Sequence, residues 1–112
     1  MRPTVLLTGA TGFVGRQVLK ALMSQAVSVR LVVRNGDQLK NDHLFQSAEV
    51  VSTNDMFAES QNWWQEICEG IDTVIHVAWY AKPGKYLYSQ KNMNSLSGTL
   101  TLSRACAQSG VR

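Results

Sequence analysis

The sequence predicts an α/β fold in which helices cover a parallel β-sheet, and three observations support that prediction. Short runs of apolar and β-branched residues, typical of buried strands, recur along the chain. Between them lie longer segments whose apolar residues have helical spacing, and this alternation is typical of parallel strands joined by helices. A glycine-rich segment separates the first apolar run from the first helical segment. The length of 112 residues fits one domain and is too short for two.

The first half of the chain contains three predicted strands and one helix. The apolar run at residues 4–8 stops at Gly9 and predicts the first strand. From residue 13 to residue 23, apolar positions fall on one face of a helix of about three turns. The β-branched residues 29–33 and the short run 49–52 predict the second and third strands.

The second half of the chain contains two predicted helices and one strand. A helix is predicted over residues 58–69, where Gly70 supplies the stop. Residues 72–77 predict a fourth strand, which is followed by a loop. The last helix is predicted over residues 89–109 and ends at Gly110.

The net charge of +3 does not indicate a nucleic-acid-binding protein, because of how it is distributed. Residues 1–40 carry a net charge of +5, residues 41–72 carry −7, and residues 73–112 carry +5. The chain therefore has no uniformly basic face, and it has no recognisable element that reads a duplex. We expect no nucleic-acid partner.

The composition also excludes several other classes of protein. Cys68 and Cys106 are the only cysteines, and their spacing of 38 positions excludes a disulfide-rich scaffold and a zinc ribbon. No apolar run approaches the roughly 20 residues of a membrane helix, and the start of the chain is too short for a secretory signal. We therefore expect a cytoplasmic protein with no membrane partner, and both cysteines are predicted to be small, buried apolar residues.

Three glycines, Gly9, Gly12 and Gly15, occupy the junction between the first strand and the first helix. In a dinucleotide-binding loop, the first glycine allows the turn out of the strand, the second lets the backbone approach a pyrophosphate, and the third allows close packing. The N-terminus of the helix then presents N–H groups to the phosphates. An ordinary tight turn with packing glycines is the alternative. The candidate cofactor-binding residues of this loop are Gly9, Thr11, Gly12, Phe13, Val14 and Gly15.

Three motifs resemble the extended short-chain dehydrogenases/reductases, the NAD(P)-dependent sugar epimerase and dehydratase family. Residues 8–15 resemble the glycine loop of that family, residues 74–78 its His-x-Ala-Ala segment, and residues 98–112 its fourth-helix signature. The resemblance implies a Rossmann-type doubly wound parallel sheet, incomplete here, with about four strands in the order 3-2-1-4. It also implies that residues 1–112 are the amino-terminal part of a dinucleotide-binding domain, without the catalytic and substrate-binding part.

Arg34 follows the second predicted strand, 19 positions after Gly15. NAD-binding proteins of this fold have an Asp or Glu about 20 residues past the loop, which accepts a hydrogen bond from the ribose 2′-hydroxyl. A guanidinium cannot accept that bond, but it can form a bidentate pair with a 2′-phosphate. We therefore predict that NADP is preferred over NAD, with Arg16 as a second nearby cation. For Arg34, a solvated surface charge is the alternative.

The resemblance implies further cofactor contacts after the third and fourth strands. Asp55 and Met56 occupy the place of an Asp–hydrophobic pair that contacts the adenine in the family, and the alternative for Asp55 is to cap the helix that follows. Val77 and Ala78 occupy the place where a small residue lets the backbone approach the cofactor. The aromatic residues beyond them are predicted to form a substrate wall or to cover the sheet edge, and they are Trp79, Tyr80, Tyr86 and Tyr88.

His76 is predicted to be a hydrogen-bonded structural residue near the cofactor. It lies at the end of a buried strand, and the other histidine, His43, is 33 positions away with no metal-ligand spacing. We therefore predict no metal site.

No catalytic residue is predicted within the chain. The family uses a Tyr-x-x-x-Lys dyad for proton transfer, and none of the three tyrosines has a lysine four positions later. Residues 1–112 alone are therefore predicted to be inactive. With the fourth strand as an unprotected edge and part of the partner of the last helix missing, they are also predicted to be marginally stable and to bind NADP weakly. The resemblance implies a parent epimerase, dehydratase or ketoreductase that transfers hydride on a nucleotide-activated sugar, and it allows a homodimer. A non-catalytic, NADP-binding redox-sensing module is the alternative.

Overall fold

A parallel four-stranded sheet forms the centre of the molecule. The computed structural model describes residues 2–34, 42–79 and 91–111. The strands are β1 (Thr4–Thr8), β2 (Ser28–Val33), β3 (Glu49–Ser52) and β4 (Thr73–His76). Their order in the sheet is β3-β2-β1-β4, and every neighbouring pair is parallel. The predicted α/β class and the predicted strand order are confirmed.

Helices connect these strands and cover both faces of the sheet. They are α1 (Phe13–Met23), α2 (His43–Gln46), α3 (Gln61–Ile67) and α4 (Lys91–Ser109), with a 3₁₀ helix at Met56–Ala58. The bounds predicted for the first helix are confirmed. The predicted start of the last helix at residue 89 lies outside the described residues. Its predicted end is confirmed at Gly110, which has a φ of +72°.

The bounds predicted for the helix over residues 58–69 are wrong at both ends. At its start, two N-cap residues, Asp55 and Ser60, begin two separate helices. Asp55 accepts a hydrogen bond from the Phe57 N–H at 3.0 Å and begins the 3₁₀ helix. Glu59 then has an extended backbone, and Ser60 accepts from the Trp63 N–H at 3.1 Å to begin α3. At the other end, α3 ends at Ile67 with Cys68 as its C-cap, before Gly70 is reached.

The four-residue helix α2 is absent from the sequence-based assignment. Asp42 caps it by accepting a hydrogen bond from the Leu44 N–H at 3.0 Å. Phe45 is its buried residue and packs beneath the sheet next to β2 and α1. A segment this short has no helical periodicity, so only the capping aspartate could have indicated it.

The hydrophobic core has two layers, one on each face of the sheet. Leu6 and Leu7 are both fully buried, because successive side chains of β1 point to opposite faces. One layer lies against α3 and α4 and contains Leu6, Val32, Trp64, Cys68, Ile71, Leu102 and Ala105. The other lies against α1 and α2 and contains Leu7, Ala10, Leu19, Val29, Leu31, Val33 and Phe45.

Two tryptophans and two cysteines lie on the α3 and α4 side of the sheet, and the prediction that both cysteines are buried is met in part. Trp64 is fully buried and Trp63 only half-buried, with the two rings edge to face at 4.8 Å. Cys68 is buried as predicted, and burial raises the pKa of its thiol to about 12, which makes it a poor nucleophile. Cys106 is half-buried rather than buried.

Candidate dinucleotide site

The carboxyl ends of β1 and β4 and the N-terminus of α1 meet at one edge of the sheet through close backbone contacts. Gly9 has a φ of +79°, and a Cβ atom on it would lie 2.7 Å from the amide nitrogen of Ala78. A Cβ atom on Gly15 would overlap the carbonyl oxygen of Gly9. Both positions therefore require glycine, and the close packing of helix and strand predicted for Gly15 is present.

Gly12 has a different environment from the other two glycines. A Cβ atom there would meet only the carbonyl oxygen of Gly9, at 3.5 Å, so the space beside it is open. Gly12 is also the N-cap residue of α1, and the helix has neither a side-chain cap nor an acidic residue in its first turn. Phe13 and Val14 are 85% and 60% exposed. This helix end therefore presents its N–H groups and its positive dipole to a region that a phosphate can reach.

A buried chain of hydrogen bonds supports the same edge from below. The Thr8 hydroxyl oxygen accepts from the N–H groups of Val77 and Ala78 at 3.1 and 3.2 Å. The same oxygen lies 2.6 Å from Nδ1 of His76, whose Nε2 lies 2.8 Å from the Thr99 hydroxyl oxygen. Because two N–H groups occupy the lone pairs of Thr8, its single proton is donated to Nδ1. His76 therefore carries its own proton on Nε2 and donates it to Thr99.

His76 is the hydrogen-bonded structural histidine that the sequence predicted. Burial lowers the pKa of His76, which favours the neutral ring that this chain of hydrogen bonds requires. The sequence reasoning missed its partners, Thr8 and Thr99. A threonine as the last residue of an apolar strand was the signal for Thr8, since a fully buried hydroxyl needs a hydrogen-bond partner.

The Val77–Ala78 backbone is placed by these bonds beside Gly9. Both of its N–H groups are held by Thr8, and Gly9 leaves no room between the two chain segments. The predicted cofactor-contacting residues Val77 and Ala78 thus lie at the same sheet edge as the glycine loop.

A separate cleft of about 440 Å³ lies at the carboxyl ends of β2 and β3. It is lined by Arg34, Ser52, Thr53, Asn54, Asp55, Ala58 and Glu59. The structure therefore brings together Arg34 and Asp55, which are 21 positions apart in the sequence. Among the described residues, the ion pairs are Arg16 with Asp42 and Arg30 with Glu49, so Arg34 takes part in none.

Asp55 and Met56 have different surroundings. One carboxylate oxygen of Asp55 caps the 3₁₀ helix, as the alternative interpretation proposed, while the exposed residue also lines the cleft. Met56 is half-buried and packs against the core layer beneath α3 and α4, and it does not line the cleft.

The 3₁₀ helix contacts α4 at Gly98, where a Cβ atom would lie 2.5 Å from Cα of Phe57. The sequence reasoning missed this role of Gly98.

Arg16 has partners of its own. Its Nη1 atom lies 2.9 Å from a carboxylate oxygen of Asp42, and its guanidinium lies 5.6 Å from the centre of the Phe45 ring. The hydrogen bond from Arg16, with a second one from the Leu44 N–H, holds the pKa of Asp42 below its usual range. The interaction ties α1 to α2, and Arg16 does not line the cleft with Arg34.

Other sequence-based expectations concern metals, membranes and the aromatic segment. Residues 2–34, 42–79 and 91–111 contain no group of three His, Cys, Asp or Glu side chains that could hold a metal ion. No helix in this part of the chain is long and apolar enough to cross a membrane. The exposed Trp79 donates from Nε1 to Asn92 at 2.8 Å, whereas Tyr80, Tyr86 and Tyr88 lie outside the described residues.

The geometry of this edge fits a dinucleotide. Open space beside Gly12 and an uncapped helix end suit a pyrophosphate. A polar cleft with a guanidinium that forms no ion pair with another described residue suits an adenosine with a charged ribose. Both features lie at the carboxyl ends of parallel strands, where open α/β sheets bind their ligands.

Comparison with known proteins agrees with this geometry. The model of the family described as "NAD dependent epimerase/dehydratase family" matches residues 5–112. The dTDP-6-deoxy-L-talose 4-dehydrogenase (NAD(+)) of Aggregatibacter actinomycetemcomitans is 30% identical over 77 residues, which cover 69% of this chain and 27% of that protein. The dihydroflavonol 4-reductase of Callistephus chinensis is 30% identical over 111 residues, which cover 95% of this chain and 30% of that protein.

A solved structure shows the same fold. The UDP-glucose 4-epimerase from Brucella ovis, in complex with NAD, has a TM-score of 0.76 and 23% identity, over 98% of this chain and 34% of that one. The chain thus spans about a third, or less, of the length of each of these proteins.

Proposed function

This chain belongs to the NAD dependent epimerase/dehydratase family, and we propose that it is the cofactor-binding part of an oxidoreductase acting on a nucleotide-activated sugar. The observation that carries the proposal is the open space beside Gly12 at the uncapped end of α1. There the backbone can approach a pyrophosphate without obstruction by a side chain. In this proposal, residues 1–112 are the amino-terminal part of a dinucleotide-binding domain.

The glycine loop and α1 bind the pyrophosphate. The N–H groups of the first helical turn donate to the phosphate oxygens, and the helix dipole favours the negative charge. Neither an acidic side chain nor a side-chain cap competes for these N–H groups. Thr11, Phe13 and Val14, which are all exposed, border the same position.

The cleft after β2 and β3 binds the adenosine. Arg34 pairs with a 2′-phosphate, and Asp55 accepts from the exocyclic amine of the adenine with the carboxylate oxygen that does not cap the 3₁₀ helix. The absence of an ion-pair partner for Arg34 among the described residues supports this assignment. NADP is therefore the proposed cofactor, in preference to NAD.

The nicotinamide of such a cofactor accepts and donates hydride. Thr8, held by His76, fixes the Val77–Ala78 backbone so that it borders the cofactor at a constant position. A nucleotide-sugar substrate is supported by two of the similar proteins, whose names specify a dTDP-sugar and a UDP-sugar. None of the three tyrosines has a lysine four positions later, so this proposal assigns no proton-transferring group to residues 1–112.

One sequence observation favours a second candidate, a redox-sensing module that binds NADP without turnover. That observation is the same absence of the Tyr-x-x-x-Lys dyad from residues 1–112. Incubating the protein and NADP or NADPH with UDP- and dTDP-sugars, and following both the redox state of the cofactor and the identity of the sugar, distinguishes the two candidates. Turnover supports the enzyme, and NADPH binding without any turnover supports the module.

Titration with NADPH and NADH tests the proposed cofactor site directly. We expect Arg34→Ala to weaken NADPH binding by about 10-fold, the loss of one bidentate, charge-assisted pair, and to leave NADH binding within about 2-fold. Arg104→Ala is the matched control, because Arg104 is an exposed residue of α4 outside the cleft. Equal NADPH affinity in the wild-type protein and Arg34→Ala would contradict the assignment of Arg34.

A further inference from the structure

Opposite charges line the cleft that follows β2 and β3. Arg34 continues β2, and Thr53 continues β3 beside it, because the Thr53 N–H donates to the Val33 carbonyl at 2.9 Å. Neighbouring strands lie about 4.8 Å apart, so Arg34 and Thr53 are adjacent across the sheet. Glu59 lines the same cleft.

Thr53 holds the Glu59 carboxylate in this cleft. Its hydroxyl donates to Oε2 of Glu59 at 2.8 Å and accepts from the Asp55 N–H at 3.3 Å. Glu59 is half-buried, and its extended backbone separates it from the 3₁₀ helix and from α3. Its position therefore depends on a specific side-chain hydrogen bond, which distinguishes it from a freely solvated surface acid.

Glu59 does not neutralise Arg34 by contact. The ion pairs found among the described residues involve other arginines, so each of the two charges acts separately on whatever enters the cleft. Both side chains line one cleft, and Glu59 is hydrogen-bonded to Thr53, the neighbour of Arg34 across the sheet. Charges in water act on one another over a Debye length of about 8 Å at physiological salt. An anion bound by Arg34 is therefore also repelled by Glu59.

We propose that Glu59 is a specificity-determining residue that narrows the preference of this cleft for NADP over NAD. The inference rests on the proposed function, in which Arg34 binds the 2′-phosphate. A 2′-phosphate is a dianion near neutral pH, and the carboxylate opposes its binding. The 2′-hydroxyl of NAD carries no charge, so Glu59 does not repel it. Arg34 thus sets the direction of the preference, and Glu59 limits its size.

Glu59 offers a cleaner test than the other acid of the cleft. Asp55 caps the 3₁₀ helix by accepting from the Phe57 N–H, so its replacement would disturb the loop as well as the charge. Glu59→Gln keeps an oxygen that can accept from Thr53 while it removes the charge. Glu59→Lys reverses the charge and extends the series. Glu66→Gln is the matched control, since Glu66 lines a different cleft beside Gly70 and Ile71, near the start of β4.

The experiment measures the dissociation constants of NADPH and NADH for the intact protein and these variants at low and high salt. We expect Glu59→Gln to strengthen NADPH binding by about 3- to 10-fold, and Glu59→Lys by more, with NADH within about 2-fold throughout. The gain should shrink at high salt, because screening weakens a charge effect. Glu66→Gln should leave both constants unchanged, and circular dichroism checks that each variant is folded.

Two results would overturn the inference in distinguishable ways. If the wild-type protein binds both dinucleotides and Glu59→Gln leaves the ratio of their affinities unchanged, or Glu66→Gln raises it equally, Glu59 does not determine specificity. If the wild-type protein binds neither dinucleotide, the proposed function fails and this inference fails with it.

Discussion

Thr8 and His76 join the carboxyl ends of β1 and β4 through a hydrogen bond of 2.6 Å between Oγ1 and Nδ1. The two residues are direct partners in the sheet register, so side chains on adjacent strands make the contact. Through the same Thr8 oxygen, the bond extends to the backbone of Val77 and Ala78. The shape of the turn that borders the proposed cofactor therefore depends on a buried hydroxyl.

Thr8→Val tests the importance of that hydroxyl. The replacement keeps the shape but leaves the Ala78 N–H and Nδ1 of His76 without their partner, while the Val77 N–H keeps only its 3.3 Å bond to the carbonyl of residue 8. We therefore expect a loss of about 2–4 kcal/mol in the free energy of unfolding. Chemical denaturation measures it. Thr101→Val is the control, since the Thr101 hydroxyl bonds only within α4, to the Ser97 carbonyl at 3.1 Å, and its loss should cost less than about 1 kcal/mol. Similar losses in both variants would contradict the role of Thr8.

His76 makes the stability of the protein depend on pH in a stated direction. Burial lowers its pKa from 6.5 in the folded protein, so the unfolded chain binds this proton more readily. We expect the contribution of His76 to be fully present above about pH 6.5 and to be lost as the pH falls towards its folded pKa.

Replacing each histidine in turn isolates this contribution. Denaturation of the wild-type protein and His76→Gln between pH 5 and pH 8 should show a steeper loss of stability towards acid in the wild type. His43→Gln, at an exposed histidine, should follow the wild-type curve. A wild-type slope in His76→Gln would show that His76 does not titrate in this range.

Substitutions of Gly12 and Gly15 should affect different properties, cofactor binding for Gly12 and folding for Gly15. Gly15→Ala introduces a Cβ atom that overlaps the Gly9 carbonyl, so we expect a loss of more than about 3 kcal/mol of stability or failure to fold. Gly12→Ala meets only an ordinary contact and should change stability by less than about 1 kcal/mol. Gly12→Ala also reduces the space proposed for the pyrophosphate, so it should weaken NADPH binding about 10-fold or more. A stable Gly15→Ala protein, or full NADPH affinity in Gly12→Ala, would contradict this division.

The sequence was sufficient for the sheet and insufficient for the contacts between distant segments. The short apolar runs predicted β1 and β3, and the helical spacing of apolar residues predicted α1, each with its observed bounds. These three elements follow from the residues of their own segments. The start of α3 was misplaced because successive caps at Asp55 and Ser60 interrupt a helix-like pattern. The pairing of Arg16 with Asp42 joins residues 26 positions apart, and no local pattern reports it.

The candidate site shows the same division between local and tertiary information. The requirement for glycine at residues 9 and 15 follows from the loop motif, and the structure shows the contacts behind it. The requirement at Gly98 arises only when α4 meets Phe57, 41 positions earlier in the chain. The Thr53–Glu59 hydrogen bond likewise depends on the folded path of the chain after β3, which no local sequence pattern indicates.

Nuclear magnetic resonance of the isotope-labelled protein during titration with NADPH tests the proposed binding edge most directly. We expect the amide signals of residues 9–15, 53–55 and 77–78 and that of Arg34 to shift, while those of Glu69, Gly70 and Ile71 at the opposite edge stay in place. Saturable binding that shifts the opposite edge and spares the glycine loop, or no shift at any NADPH concentration, would contradict the assignment of this sheet edge as the dinucleotide site.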